Sequence, residues 1–159
     1  AYADTDCIYA TGEDYITPAA DVIKSRGLTD CKIYGSNISP NVCQLIMDGY
    51  VEACTGGEFV CGGLAVTLLI NYLDGNAIKD PDGKAPYFDN LSQFIVTPEN
   101  AEAFYQFLSD ETLATHTISD EEYQNLLVRN NPEVDYDYYL DFLSGYEENV
   151  YAKVEANAQ

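Results

Sequence analysis

This sequence predicts an α/β fold: a parallel sheet with helices on both faces, followed by a helical acidic C-terminal extension. Three observations carry it. Short β-prone runs alternate with helical segments through the first 75 residues. The segments are punctuated by Thr-Pro, Ser-Pro and Gly signals suited to helix starts and stops. The character of the chain then changes after Leu108, where acids and tyrosines replace the apolar alternation.

The first strand is Asp6 to Ala10, ended by Thr11-Gly12. Thr17-Pro18 reads as an N-cap and first helical position, and that helix stops at Gly27, a natural left-handed residue. Cys31 to Tyr34 forms a second strand, and Ser39-Pro40 starts a second helix with Val42, Leu45 and Ile46 on one face. A third strand spans Tyr50 to Thr55. Phe59 to Leu73 then reads as a helix apolar nearly all round, the signature of a helix buried under its neighbours. Asn76 to Asn90 is a turn-rich loop, Leu91 to Val96 returns as a strand, and Thr97-Pro98-Glu99 opens another helix by the same logic. Beyond it, Ser119 and Glu122 have capping-box spacing, and Asp135 to Leu143 forms a last helix before Gly145. Three or four strands make a small sheet for this class, so further strands are expected from a parent polypeptide or from a second copy.

A length of 159 residues with 47 % apolar content suits one domain with a real core. Twenty-seven acids against seven bases give a net charge of −20, which argues against nucleic acid and against anionic lipid as partners. Residues 1–98 hold thirteen acids and five bases, whereas residues 99–159 hold fourteen and two. No apolar run reaches membrane-spanning length. The start, Ala1 to Asp4, lacks a basic and apolar leader, so the chain is expected to be a mature form or a piece of something longer. Cys7, Cys31, Cys43, Cys54 and Cys61 show no paired spacing and read chiefly as buried free thiols.

Chemistry-bearing patterns are sparse. His116 has no cysteine or carboxylate at ligand spacing and reads as a solvated loop residue. Gly56-Gly57 and Gly62-Gly63 have the wrong spacing for a phosphate cradle. Asp80-Pro81-Asp82-Gly83 resembles the opening of a calcium loop without its later ligands, so a turn is expected. No metal or other cofactor and no enzymatic activity are expected, since no nucleophile–base pair is evident. Glu13 and Asp14 follow the first strand, where α/β sheets bind ligands, although acids there also suit the helix dipole. Asn37 and Glu58 occupy equivalent positions after the second and third strands. Fourteen tyrosines offer stacking surfaces for sugar rings, but half lie in residues 99–159 at spacings that suit packing.

Read together, several segments resemble the C-terminal part of type I periplasmic solute-binding proteins, the ribose- and galactose-binding-like receptors of sugar ABC transporters. They are Cys7 to Asp14, Lys32 to Asn37 with Ser39-Pro40, Met47-Asp48-Gly49, Asp74-Gly75 and Phe94 to Asn100. The similarity covers about residues 4–108. It implies a binding-protein-like part over 1–108, including the crossing helix 58–75, and an acidic, Tyr-rich extension over 109–159. By the same resemblance the family's strand-end acid falls on Glu13 and its Gly-x-Asp acid on Asn37. Its hinge amide falls on Gly57, beside Glu58.

The resemblance implies Glu13, Asn37 and Glu58 on ligand hydroxyls, with Tyr15 or Phe59 against an apolar sugar face. It also implies a carbohydrate-like ligand, a membrane permease as partner of the full-length receptor, and an extracytoplasmic location. The chain would then be a fragment lacking the N-terminal half, with self-association through unpaired sheet edges as a further expectation. The alternative is the effector-binding core of a transcription repressor of the same fold.

Overall fold

The computed structural model describes residues 5–58, 60–89, 91–110, 112 and 117–158. The architecture is α/β, with a mostly parallel four-stranded sheet flanked by helices. Contacts divide the chain into two compact units. The first comprises residues up to Gly56, Phe94–Ala114 and Lys153 onward; the second comprises Gly57–Gln93 and Thr115–Ala152. Compactness thus groups the crossing helix with the acidic segment that follows it.

In the first unit the sheet runs β1 (Cys7–Ala10), β2 (Lys32–Ser36), β3 (Val51–Gly56) and β4 (Phe94–Val96), in that spatial order. β1, β2 and β3 are parallel, and β4 closes the far edge antiparallel to β3. Helix α1 (Glu13–Arg26) starts earlier than its Thr17-Pro18 signal suggests. The Gly12 carbonyl accepts the N–H groups of Tyr15 and Ile16 at 3.0 and 3.1 Å, which closes the first turn upstream of that signal. Pro18 therefore lies inside the helix, where its missing N–H removes one helical bond. The Thr17 hydroxyl is used differently: it accepts from Asn41 Nδ2 at 2.9 Å. α1 ends as expected at Gly27, whose φ is 66° and whose N–H reaches back to the last turn.

Helix α2 (Pro40–Met47) follows its sequence signal, with the Ser39 hydroxyl accepting the Val42 N–H at 3.2 Å. Helix α4 (Ala101–Ser109) begins later than Thr97-Pro98-Glu99 suggests. The Asn100 side chain takes over residues 97–100: its Oδ1 accepts the Thr97 N–H at 2.8 Å and its Nδ2 donates to the Ile95 carbonyl at 3.1 Å. The Thr97 carbonyl accepts the Asn100 and Ala101 N–H groups at 3.2 and 3.0 Å, so a turn leads into the regular helix from the expected start.

Helices α1, α2 and α4 share one side of the sheet. Ala10, Ile33, Cys54, Phe94 and Val96 are buried there with Ile16, Ile23, Val42, Ile46 and Phe104. Phe94 and Phe104 stack at 5.2 Å. Gly35 is needed on this side, since a Cβ there would fall 2.6 Å from Ile16 Cδ1. On the other side, Cys7, Tyr9, Tyr34 and Ile95 are exposed.

The second unit is built on α3 (Val60–Leu73) and short helices α5 (Asp120–Asn125) and α6 (Tyr136–Ser144). α3 is not buried all round. Val60, Leu64, Thr67 and Asn71 form its buried stripe, while Val66, Leu69, Tyr72 and Leu73 face outward. The polar pair inside is satisfied by hydrogen bonds to the segments around α5 and α6, which chooses this stripe over the more apolar one. Ser119 and Glu122 form the expected capping box, and Asp135 caps α6 by accepting the Tyr138 N–H at 2.9 Å. Phe88 stacks on Tyr136 and Tyr139 at 5.1 and 5.7 Å.

The Asp80 loop is a turn: Asp80 Oδ1 accepts the N–H groups of Asp82 and Lys84 at 3.0 and 2.7 Å. A further helix, α7 (Tyr146–Asn157), was not apparent in the sequence; it starts in the second unit and finishes in the first. His116 lies outside the described residues. All five cysteines are free, with Cys31, Cys43 and Cys54 buried and Cys7 and Cys61 exposed. Among the described residues no helix is long and apolar enough to cross a membrane.

Candidate functional site

The polar rim expected at the strand ends has a physical basis in the first unit. Parallel strands β1 and β2 deliver their following loops to the same end of the sheet, where α1 and α2 begin. Glu13 is the first residue of α1, and its Oε1 accepts from Asn41 Nδ2 at 3.2 Å. The same Asn41 amide reaches Thr17 Oγ1, so the first turns of α1 and α2 meet in a Glu13–Asn41–Thr17 cluster. The sequence did not single out Asn41. Its only signal was its place one residue past the Ser39-Pro40 helix start, where a side chain projects from the rim.

Asn37 directly follows β2 and adopts φ 72°, the left-handed conformation that asparagine tolerates better than most residues. It is exposed, as is Tyr15, which has 67 % of its surface in solvent on the first turn of α1. Glu13 and Asp14 also lie where the positive end of the α1 dipole favours acids, a role that needs no ligand. A carboxylate and two amides around one sheet end supply acceptors and donors in the mixture that hydroxyl groups require.

Glu58 belongs to the second unit, half-buried beside Tyr146 rather than on an open rim. Burial pushes the Tyr146 phenol up to about 12, opposed by a hydrogen bond with Thr117 and reinforced by the nearby Tyr123, Glu58 and Glu122. The neighbouring Gly57 has φ 114°, and a Cβ on it would lie 3.0 Å from Tyr146 Cε1. A side chain at position 57 is therefore both strained and blocked, which explains physically why no amide stands there. Phe59 lies outside the described residues.

Among the described residues no group of three His, Cys, Asp or Glu side chains is placed to hold a metal ion. An open groove of about 340 Å³ in the second unit is lined by Leu68, Leu69, Tyr72, Ile78 and Pro86. Its lining is mostly apolar, with Lys79 and Lys84 as charged members, and it carries no acidic or amide side chain to orient a hydroxyl-rich ligand.

No protein-family model matches the chain, and no curated protein sequence matches it. Solved structures do. The chain is similar to the periplasmic binding protein component of the arabinose ABC transporter from Shewanella sp. ANA-3, bound to α- and β-L-arabinofuranose. That match has a TM-score of 0.52 and 25 % identity over 68 % of this chain and 35 % of that one. It is also similar to a periplasmic sugar-binding protein from Pseudomonas fluorescens, with a TM-score of 0.60 and 21 % identity over 86 % of this chain and 40 % of that one. A galactofuranose-binding protein aligns with a TM-score of 0.47 and 21 % identity, over 62 % of this chain and 32 % of that one. The chain thus spans well under half the length of the structures it resembles.

Proposed function

We propose that this chain is the C-terminal part of a non-enzymatic solute-binding protein that captures a sugar or similar polar solute outside the cytoplasm for an ABC transporter. Residues 1–108 carry the binding-protein-like fold, and residues 109–159 an acidic helical extension that includes α5 and α6. The observation that carries the proposal is the fold likeness to two sugar-binding structures, combined with polar groups at successive strand ends. Glu13 and Asn37, assisted by Asn41, hold ligand hydroxyls, and Tyr15 offers its ring to an apolar sugar face. By the same resemblance Glu58 and Phe59 are proposed as further ligand contacts. Closure of the complete receptor over its ligand then presents a surface to the membrane permease.

The test is a thermal-shift and calorimetric screen of the complete receptor against pentoses, hexoses, furanosides and nucleosides. A saturable shift with at least one sugar is expected. The present chain alone should give no heat, because most of the receptor that would close over a ligand is missing. Micromolar binding by this chain in isolation, or a receptor silent to every sugar, overturns the proposal.

A further inference from the structure

Helix α3 hides its polar residues and shows its apolar ones. Thr67 and Asn71 lie on its buried stripe, while Val66, Leu69, Tyr72 and Leu73 keep 54 to 72 % of their surface in solvent. Part of that outward stripe is one wall of the groove of about 340 Å³. Leu68, Leu69 and Tyr72 line it from α3, and Ile78 and Pro86 line it from the loop that follows. The loop wall is held by its own turn. The Asp80 N–H donates to the Lys84 carbonyl at 3.0 Å, and the Gly83 N–H donates to the Asp80 carbonyl at 2.9 Å. This turn brings Lys84 back beside Asp80, and with it Lys79 and Lys84 come to the same groove.

The lining is opposite in sign to the chain as a whole. Two of the seven cations of a chain of net charge −20 line this groove, and among the described residues no Asp or Glu does. Asp80 Oδ1 is engaged by the N–H groups of Asp82 and Lys84 inside the turn. Asp82 meets Lys84 Nζ at 3.4 Å with both side chains about three-quarters exposed, a weak pair that Lys84 can exchange for another acceptor. Lys79 makes no ion pair among the described residues.

We infer that this groove is a second ligand site, for a small amphiphilic carboxylate. Its apolar body lies against Leu69 and Tyr72, and its head is held by Lys79 and Lys84. The volume falls at the low end of small-ligand sites, roughly 300–1,000 Å³, which suits one molecule with a single apolar body. A second copy of this chain is opposed as occupant by its charge of −20, which would meet an equal charge across the contact. The site lies wholly in the second unit, whereas Glu13 and Asn37 belong to the first, so it does not depend on sugar capture.

The test is calorimetry on this chain with decanoate and naphthoate, an alkyl and an aryl body with the same head, kept below the concentrations at which they aggregate. Saturable binding of at least one is expected, with amide shifts confined to residues 68–72 and 77–86. Decanol should bind about tenfold more weakly than decanoate, the loss of one charge-assisted contact. Lys79→Gln/Lys84→Gln should bring decanoate down to the level of decanol, and Leu69→Asn, an exposed position, should weaken both; melting curves check that each variant is folded. Binding of neither carboxylate overturns the inference. So does decyltrimethylammonium binding as tightly as decanoate, or a folded lysine double variant with unchanged affinity. The same response is expected in the complete receptor, and its loss there overturns the site, because the rest of the polypeptide then fills the groove.

Discussion

The Asn71 side chain and the Tyr139 hydroxyl meet at 3.3 Å inside the second unit, both fully buried, and together they join α3 to the segments that follow it. Asn71 Nδ2 also donates to the Leu126 carbonyl at 2.9 Å, and its Oδ1 accepts the Val128 N–H at 2.9 Å. The Tyr139 hydroxyl donates to Thr67 Oγ1 at 2.8 Å. Both polar atoms of the Asn71 amide group are thereby engaged away from water.

Asn71→Leu should be strongly destabilising despite its apolar side chain. It leaves the Val128 N–H without its side-chain acceptor and the Leu126 carbonyl with the Tyr139 hydroxyl as its remaining side-chain donor, at about 1–3 kcal/mol. Tyr139→Phe keeps the ring stacked near Phe88 and should cost about 1 kcal/mol. Urea denaturation should show both as a lower midpoint with an unchanged slope. An Asn71→Leu chain as stable as the parent would remove this network as the organiser of the second unit.

Gly56→Ala should damage the first unit. A Cβ there would lie 2.5 Å from the Phe94 ring and 2.6 Å from Ile38 Cγ2, inside a face with no room to yield. Overpacking of this kind costs about 1–3 kcal/mol. Loss of thermal stability, with β4 amides exchanging faster than those of β1, is the expected signature. An unchanged melting temperature would mean that β4 moves aside freely.

Alkaline pH should unfold the chain by a defined route. Burial pushes the Cys43 thiol up to about 12 from 9.0 and the Tyr146 phenol up to about 12 from 10.0, and it raises Tyr139 as well. Each group is held neutral in the fold and ionises more easily once unfolded. The stability they contribute is therefore complete below pH 9 and is lost as the pH climbs towards 12. Following tyrosinate absorbance together with circular dichroism, a fraction of the fourteen tyrosines should ionise only as the helical signal collapses. Ionisation of all of them near the ordinary value, with the fold intact, would contradict this.

In the complete receptor, Glu13→Gln should weaken sugar binding at least tenfold, about 1.4 kcal/mol, if its charge holds hydroxyls. At Asn37 two substitutions separate roles. Asn37→Gly relieves the φ 72° backbone while removing the amide, so affinity should fall with stability retained or raised. Asn37→Ala strains the backbone as well and should lower both. Calorimetry on the three variants reads the difference, and full affinity in the Asn37→Gly receptor would take that side chain out of the site.

Legibility in the sequence followed the range of the interactions. Ser39-Pro40, the Ser119–Glu122 box and Gly27 are caps whose chemistry lies within a few residues, and each stands where the sequence indicates. Thr17-Pro18 carries the same signal, yet Gly12 starts the helix first, and nothing local ranks two competing starts. For α3 the composition suggested burial on every side. Which stripe faces inward was decided by Asn71 and Thr67 finding partners 55 and 72 residues away, and no periodicity records that. At the rim, Glu13 and Asn37 were visible because strand ends can be counted. Asn41 was not, because its role depends on the starts of α1 and α2 meeting.

Helix α7 gives Val150 to the second unit and Val154 to the first, both buried. A nonsense or frameshift lesion shortly before Val150 would consequently not trim a dispensable tail. It would strip a core residue from each unit at once, and the shortened product should go to the proteases of its compartment rather than persist as a weaker binder.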